Sequence, residues 1–354
     1  LQIGCVQLLE FRNYRALSWS PAPHLNVITG PNAQGKTNLL EALGFVVTGR
    51  SFRTARAAEL ARWGSEAATI SGDLIRGETR RTIRRGLNQL EDGTWQTTGE
   101  SAPEWARAIA FGWQDLEIVN GGPAARRNFI DGFAARLYAN HVPTLIRFRQ
   151  ILARRNRLLQ QRPVDASLAT RLGPWNEQLA TVGMDLLGRR RKAVAALQTE
   201  LARVYAALSG ARSKVEIRYQ TSLGEAAEPA ALLAALERRQ RDEIRRGQTL
   251  VGPHRDDLAI EIDGVDARAF GSRGQQRLTA LALRLAEILP VTDAAGTAPI
   301  LLLDDALSEL DPVVRGHVLN EIRSADQVFL TTPDTPTVDG AAMFHVNGGS
   351  LTSA

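Results

Sequence analysis

Residues 30–37 read Gly-Pro-Asn-Ala-Gln-Gly-Lys-Thr, two glycines separated by four residues and followed at once by a lysine and a hydroxyl. Glycines at that spacing let backbone N–H groups converge on a phosphate with no Cβ in the way. A helix opening at the lysine would point its positive dipole end at the same place. The lysine side chain can then reach the outer phosphates, and the threonine hydroxyl can take one position around Mg²⁺. Gly30, Asn32, Gly35, Lys36, Thr37 and Asn38 are therefore the candidates to hold the phosphates of ATP, with Thr37 also a candidate metal ligand. The chain has only three lysines, Lys36, Lys192 and Lys214, so a lysine at this one position is informative.

A phosphate cradle of this kind needs a distant acid, and residues 300–305 offer one. Ile300 to Leu303 are apolar and run into Asp304 and Asp305. A buried strand ending in an acid can hold Asp304 near the cradle, where it would support Mg²⁺ through bound water. Asp305 is then placed to polarise an attacking water. Lys36, Asp304 and Asp305 are the catalytic candidates, with Thr37 and Asp304 at the metal. A third element, Ser272-Arg273-Gly274-Gln275, stands directly before a long helical pattern. Serine, a flexible glycine and a helix N-terminus make a second anion site. Such a site cannot grip a phosphate at the far end of its own face, but it can grip that of a neighbouring copy. Ser272, Gly274 and Gln275 are accordingly expected to act in trans.

Several elements must position these residues. "IGCVQLLEF", "ALSWSP" and "LNVITG" read as strands, and a helix is expected from Thr37 to about Val47. Residues 66–98 read as short strands with glycine-containing turns. From 126 to 246 nearly everything has helical spacing, broken near Pro143, Pro163, Pro174, Gly210, Gly224 and Pro229. "LAIEIDGV" returns to strand, with Asp263-Gly264 marking a hairpin. A helix from Gly274 to about Leu289, the strand "PILLLDDA", a helix from Pro312 to Arg323 and a final strand "QVFLTT" complete the pattern, with "TPDTPTVDG" the nearest thing to a linker. Neither α/β half closes a sheet alone. The expectation is one discontinuous α/β module, residues 1–125 and 250–354, with a mostly helical insert at 126–249.

Bulk properties exclude more than they select. The 354 residues are 44% hydrophobic and 23% charged, an ordinary globular composition, and Lys+Arg exceed Asp+Glu by 43 − 38 = 5. The single cysteine, Cys5, rules out an intrachain disulfide framework and a cysteine-rich zinc site, and reads as a core residue. The five histidines lack metal-ligand spacing. No apolar run nears 18 residues and no signal segment opens the chain, so a cytoplasmic location is expected and membrane partners are not.

The motifs together resemble the ABC-type ATPase heads related to the structural-maintenance-of-chromosomes (SMC) proteins, and within them the RecF family of bacterial recombination mediators. The resemblance covers nearly the whole chain. It is carried by "FRNYR" (11–15), "GPNAQGKTNLLEA" (30–42), "GRSFRT" (49–54), "GGPAARRNFID" (121–131), "RNRLL" (155–159), "GPHRDDL" (252–258), "SRGQQR" (272–277) and "LLLDDALSELD" (301–311). It implies a P-loop ATPase head with an inserted helical arm, weakly active on ATP. Two heads would form an ATP-dependent homodimer, each ATP held by Lys36 of one chain and Ser272 of the other. The dimer would grip double-stranded DNA near single-strand gaps, work with RecR to load RecA, and let go on hydrolysis.

Two departures from the family pattern bear on the site. Where relatives carry a proline in "F-x-P-x-D-L", this chain has Phe111-Gly112-Trp113-Gln114-Asp115-Leu116, and Gln114 is the candidate sensor of metal and γ-phosphate. Thr331-Thr332-Pro333 stands where transporter ATPases keep a switch histidine, leaving the γ-phosphate sensor unassigned. Arg50, Arg53 and Arg56 leave the P-loop helix and are candidates for DNA phosphates, as are the insert's "RFRQILARRNRLLQQR" and "GRRRK". "GPHRDDL" reads equally as a polar turn or as lining near a dimer face. Three other readings are weaker. A transporter nucleotide-binding subunit predicts a shorter insert, an ATPase-linked nuclease needs a further carboxylate cluster, and a long-armed SMC protein needs sustained heptads.

Overall fold

The computed structural model describes residues 1–161, 167–211, 213–323, 325–333, 338 and 340–353. Pro163, Arg162 and most of the linker-like stretch 332–340 lie outside the described residues. The chain divides into two compact units. The first comprises Leu1–Leu116, Arg203–Ser213 and Ser272–Ala354, and the second Glu117–Ala202 and Lys214–Gly271.

In chain order the first segment supplies β1 (Gln2–Phe11), β2 (Tyr14–Trp19), β3 (His24–Thr29), α1 (Lys36–Thr48), β4 (Ala67–Arg76), β5 (Thr79–Gln89), β6 (Trp95–Gly99) and β7 (Ala108–Phe111). Then come α2 (Leu116–Asn120), α3 (Pro123–Leu137), α4 (His141–Leu159), α5 (Leu168–Ser209), β8 (Val215–Gln220), α6 (Pro229–Arg246), β9 (Asp257–Ile262), β10 (Val265–Asp266) and α7 (Ala267–Phe270). The last segment holds α8 (Arg273–Leu285), α9 (Ile288–Ala295), β11 (Ile300–Leu303), α10 (Pro312–Ile322), β12 (Gln327–Thr331), β13 (Ala342–Asn347) and β14 (Ser350–Ser353).

The first unit is built on two sheets. One has six strands in the order β14-β13-β3-β12-β11-β7, parallel except for β14 at the edge. Its inner strands are buried on both faces, which is why "ILLL" and "QVFLT" read as unbroken apolar runs rather than alternating ones. Strands from both ends of the chain interleave here. The other sheet, β2-β1-β4-β5-β6, is antiparallel and comes from the first segment alone, against the expectation that neither half closes a sheet. Alternating residues of its strands, Val6, Leu8, Ile70 and Leu74 among them, pack with Leu39, Leu43 and Val46 of α1 into one core.

The second unit is mostly helical, with a three-stranded sheet β10-β9-β8. Its boundaries differ from the expected 126 and 250. Residues 250–271 belong to it because β8 pairs with β9 from Gln220↔Asp257 to Val215↔Ile262, and residues 117–125 because Arg126 of α3 bonds both the Gly121 carbonyl and Asp257 of β9. That strand, "VEIRYQ", had been expected as helix. Its alternation of buried Val215 and Ile217 with exposed Glu216 and Arg218 is the period-2 signal of a half-buried strand.

Other expectations also give way. Pro174 lies inside α5 rather than breaking it. Pro143 falls in the first turn of α4, where its missing N–H has no intrahelical acceptor to lose. The helix after Gly274 ends at Leu285, and α9 follows as a separate helix. "QVFLTT" is not the last strand, since β13 and β14 form a hairpin through Gly348-Gly349, both at positive φ. Cys5 is partly rather than fully buried.

Candidate active site

A cleft of about 460 Å³ opens in the first unit, lined by Asn32, Ala33, Gly35, Lys36, Thr37, Asn38, Arg53, Trp113, Arg277, Asp304, Asp305, Thr331 and Pro333. It lies at the carboxyl ends of parallel strands, where the chain leaves β3, β7, β11 and β12 and ligands of α/β sheets bind. Strand order explains the meeting. β12 separates β3 from β11, so the loop after β3 and the acids after β11 are two strands apart, and Thr331 at the end of β12 bridges them.

The 30–37 loop needs its glycines for steric reasons visible here. Gly30 has φ +139°, and a Cβ there would stand 2.3 Å from the Val346 carbonyl oxygen. Gly35 has φ +115°, and its Cβ would meet Asn13 Nδ2 at 2.4 Å. Lys36 is buried, and its Nζ donates back to the carbonyls of Gly30 at 2.5 Å and Pro31 at 2.9 Å. Burial lowers its pKa while the charges of Asp305 and Asp304 pull the other way. Asn13 Nδ2 donates to Gln34 O at 2.8 Å, and Tyr14 OH donates to Gly35 O at 3.0 Å, so the β1–β2 turn braces the loop from below.

Asp304 is the hub. One of its oxygens, Oδ1, accepts from Thr37 Oγ1 at 2.9 Å and from Thr331 Oγ1 at 2.7 Å. Burial raises its pKa, the two hydroxyl bonds lower it, and neighbouring Asp305 raises it again. Asp305 has φ +53°, a left-handed conformation costly for a residue with a side chain, and strain of this kind gathers at functional positions. Thr331 Oγ1 accepts from Asp305 N at 2.9 Å, while Arg277 Nη2 donates to Asp305 O at 2.6 Å and Ser308 Oγ at 2.7 Å. Asp305 Oδ1 and Arg277 Nε are buried without partners among the described residues.

A second node joins the cleft to the arginine-bearing segment 49–56. Glu41 of α1 is fully buried and accepts two 2.8 Å bonds from Arg12 Nε and Nη2. Ser51 Oγ donates to it at 2.5 Å and Arg53 Nη1 at 3.3 Å. Arg53 Nη1 also donates to Asn38 Oδ1 at 2.8 Å, which fixes this arginine at the cleft wall.

The structure therefore gathers Asn32, Gly35, Lys36, Thr37, Asn38, Asp304 and Asp305 at one cleft, with the Gly30 carbonyl holding Lys36. It leaves Gln114 out of the lining and presents Trp113 instead. Ser272, Gly274 and Gln275 are exposed and also outside the lining. Ser272 Oγ accepts from Gln275 N at 3.2 Å and Gln275 Oε1 from Ser272 N at 2.9 Å, a capping box at the start of α8. Arg50 and Arg56 are exposed; Arg56 meets Glu59 at 3.5 Å.

"GPHRDDL" turns out to be internal architecture of the second unit. His254 packs beside Phe148, Asp256 accepts from Tyr219 OH at 2.7 Å, and Asp257 binds Arg126 at 2.7 and 2.8 Å. Arg12, Arg53, Trp113, Arg277 and Thr331 were not assigned roles at the cleft from sequence. "FRNYR" and "GRSFRT" carried a signal for the first two, and Thr331 stood at the place left by the missing switch histidine.

A model of the AAA domain matches residues 5–121. The DNA replication and repair protein RecF of Lactobacillus delbrueckii subsp. bulgaricus is 36% identical over 359 residues, covering 96% of this chain and 94% of the relative. The protein of the same name from Heliobacterium modesticaldum is 35% identical over 376 residues, covering 99% of each. Among solved structures, the recombination mediator protein RecF with ATP, from the RecFOR pathway, superposes with TM-score 0.87 at 28% identity over 99% of this chain and 97% of that one. An SMC head bound to the C-terminal winged-helix domain of ScpA shares the fold, with TM-score 0.57 at 16% identity, covering 100% of this chain and 97% of that one.

Proposed function

The chain belongs to the RecF family, and on that premise we propose that it is an ATP-gated DNA clamp of recombinational repair. ATP would lie in the cleft with its phosphates on the 30–37 backbone amides and on Lys36, and Mg²⁺ would be held by Thr37 and Asp304. The residues suit both groups. Gly30 and Gly35 hold the loop in positive-φ turns whose Cβ atoms would collide with Val346 and Asn13 behind it, and the Thr37 and Thr331 hydroxyls converge on one carboxylate oxygen. A bound metal would supply charge neutralisation between the outer phosphates. Asp305, whose Oδ1 is buried without a partner among the described residues, orients the attacking water and accepts its proton. Thr331, linking Asp304 to the backbone of Asp305, is the residue we assign to sensing the γ-phosphate.

The observation that carries the reading is the separation of parts. The cleft holds the phosphate loop, both acids and Arg277 of α8, while Ser272, Gly274 and Gln275 at the capped start of α8, one turn earlier, stand exposed and outside its lining. A second copy would complete each site with Ser272, Gly274 and Gln275, giving a dimer whose closure depends on ATP. Arg50 and Arg56 would then meet duplex backbone, with Arg53 beside them reporting the state of the cleft. Gapped duplex is the expected substrate and RecR the expected protein partner. Slow hydrolysis would release the DNA. Among the described residues no helix is long and apolar enough to cross a membrane.

Sedimentation with a non-hydrolysable ATP analogue tests this, alongside salt titration of binding to duplex, gapped and single-stranded DNA. The wild type should pass from monomer to dimer and bind duplex only with nucleotide, and Ser272→Arg should do neither. A wild type that stays monomeric with nucleotide overturns the clamp.

A further inference from the structure

Two exposed side chains of the first unit, among others, make no hydrogen bond or ion pair among the described residues and stand where they bear on the cleft. Trp113 is 66% exposed, yet it lines the cleft beside Asp304 and Asp305. It follows Gly112, whose ideal Cβ position lies 3.8 Å from Asp304 Cβ, and Asp304 N donates to Phe111 O at 2.8 Å. The indole is thus carried at the cleft mouth by the strand end that abuts the metal-site acid. Trp63 is more exposed still, at 98%, so what distinguishes Trp113 is its place in the cleft lining, on a short 3₁₀ turn beside Asp304.

Arg273 is the second. It is the first residue of α8, immediately after Ser272, and is exposed. Among the described residues it makes no ion pair or hydrogen bond, unlike Arg277 and Arg284 of the same helix. A cation at a helix N-terminus opposes the dipole, so local energetics disfavour an arginine there. Gly274 beside it is equally unexplained from within. A Cβ at that position would meet nothing within 4 Å, and glycine near a helix start still weakens the helix. Both features become useful when another molecule approaches this helix end closely.

Resting on the clamp reading above, we propose that in the ATP-bound pair the indole of Trp113 in one chain receives the guanidinium of Arg273 from the second copy. The occupant of the cleft mouth is thus a second copy of this chain. Ser272 of that copy must come to the phosphates if it is to finish the site. Its neighbour Arg273 then arrives at the cleft rim, where Trp113 is the exposed aromatic. An indole face and an unpaired guanidinium attract through the ring quadrupole, more strongly once the interface excludes water. Twofold symmetry forms the contact twice, once at each nucleotide. The pair latches the dimer only when Ser272 is seated, which couples dimer lifetime to the occupancy of both clefts.

A double-mutant cycle on the dimer Kd, measured by sedimentation with the non-hydrolysable analogue, tests this. At about fivefold per contact, Trp113→Ala and Arg273→Ala should each raise Kd about 25-fold, and the double variant should be no weaker than either single. Arg273→Lys should keep part of the affinity. Additive effects in the double variant, or either alanine leaving Kd unchanged, overturn the latch. Ser272→Arg separates the two claims. If it abolishes a dimer that the alanine variants leave intact, the clamp stands and the latch falls. If the wild type never dimerises, both fall. Both side chains are exposed, and matching far-ultraviolet dichroism of the variants confirms that they fold.

Discussion

Charged groups are used in opposite ways in the two units. In the second unit they saturate one another. Arg155 is fully buried, and its Nε, Nη1 and Nη2 donate to Asn176, Thr249 and Glu243 at 2.7, 2.7 and 2.6 Å. Arg190 forks onto Asp131 at 2.7 and 2.8 Å and caps the Pro253 carbonyl at 2.6 Å. In the first unit the cleft charges are left with capacity. Lys36 leans on carbonyls of its own loop, and Asp305 Oδ1 and Arg277 Nε have no partner among the described residues. Buried polar atoms without a partner among the described residues also occur in the second unit, at His141 Nδ1, His254 Nδ1 and Asp256 Oδ1, and in the first unit outside the cleft lining, at Trp19 Nε1, Arg85 Nε and Ser209 Oγ. What sets the cleft apart is that an unpartnered carboxylate oxygen and an unpartnered guanidinium nitrogen belong to residues lining one opening.

That contrast is broken most forcefully at Arg155. Arg155→Ala leaves Glu243 buried and unpaired, and should cost about 3–5 kcal/mol in unfolding free energy while the cleft keeps its affinity for ATP. Chemical denaturation and calorimetric ATP titration check the two halves, and adding Glu243→Gln should recover much of the loss. At the cleft the signs reverse. Asp305→Asn should slow ATP turnover by about 10²–10⁴-fold with ATP-dependent DNA binding retained, and unaltered hydrolysis would take Asp305 out of catalysis. Lys36→Met should weaken ATP binding by about 100-fold with little change in the unfolding transition. An unchanged affinity would mean that the loop is not a phosphate cradle.

The smallest effect is a pH dependence in the second unit. Burial holds the His254 pKa down, to about 4 from 6.5, with Nε2 against the Thr249 carbonyl at 3.1 Å. The unfolded chain takes up the proton first as pH falls, so this stabilisation is present above about 6.5 and lost on the way down to about 4. Between pH 7 and 5 the loss should be about 2 kcal/mol. Thermal unfolding across that range should show it in the wild type and lack it in His254→Gln.

How much was legible depends on how far apart in the chain the informative residues lie. The phosphate loop and the acids after β11 were readable because each is a contiguous run whose backbone makes its own geometry. The Asp263-Gly264 hairpin was readable for the same reason, and both residues take positive φ. β8 was missed because six residues inside a helical region give only three turns of alternation, and its pairing with β9 supplies the rest. The β13–β14 hairpin has its local signal in Gly348-Gly349, both at positive φ. Pro174 lies inside α5 although proline removes a helix hydrogen bond, so the local breaker rule placed a break where the helix runs on.

From the sequence alone came the chemistry: which backbone can cradle a phosphate, which hydroxyl and acids can serve a metal, and which serine begins a helix. Those depend on residue type and on spacing within a few positions. Only the tertiary structure decided which distant side chains share the cleft. It brought in Arg53, Trp113, Arg277 and Thr331, left Gln114 outside, and turned Ser272 and Arg273 outward. The order of strands in a sheet sets those distances, and it arises from pairings hundreds of residues apart that no local pattern encodes.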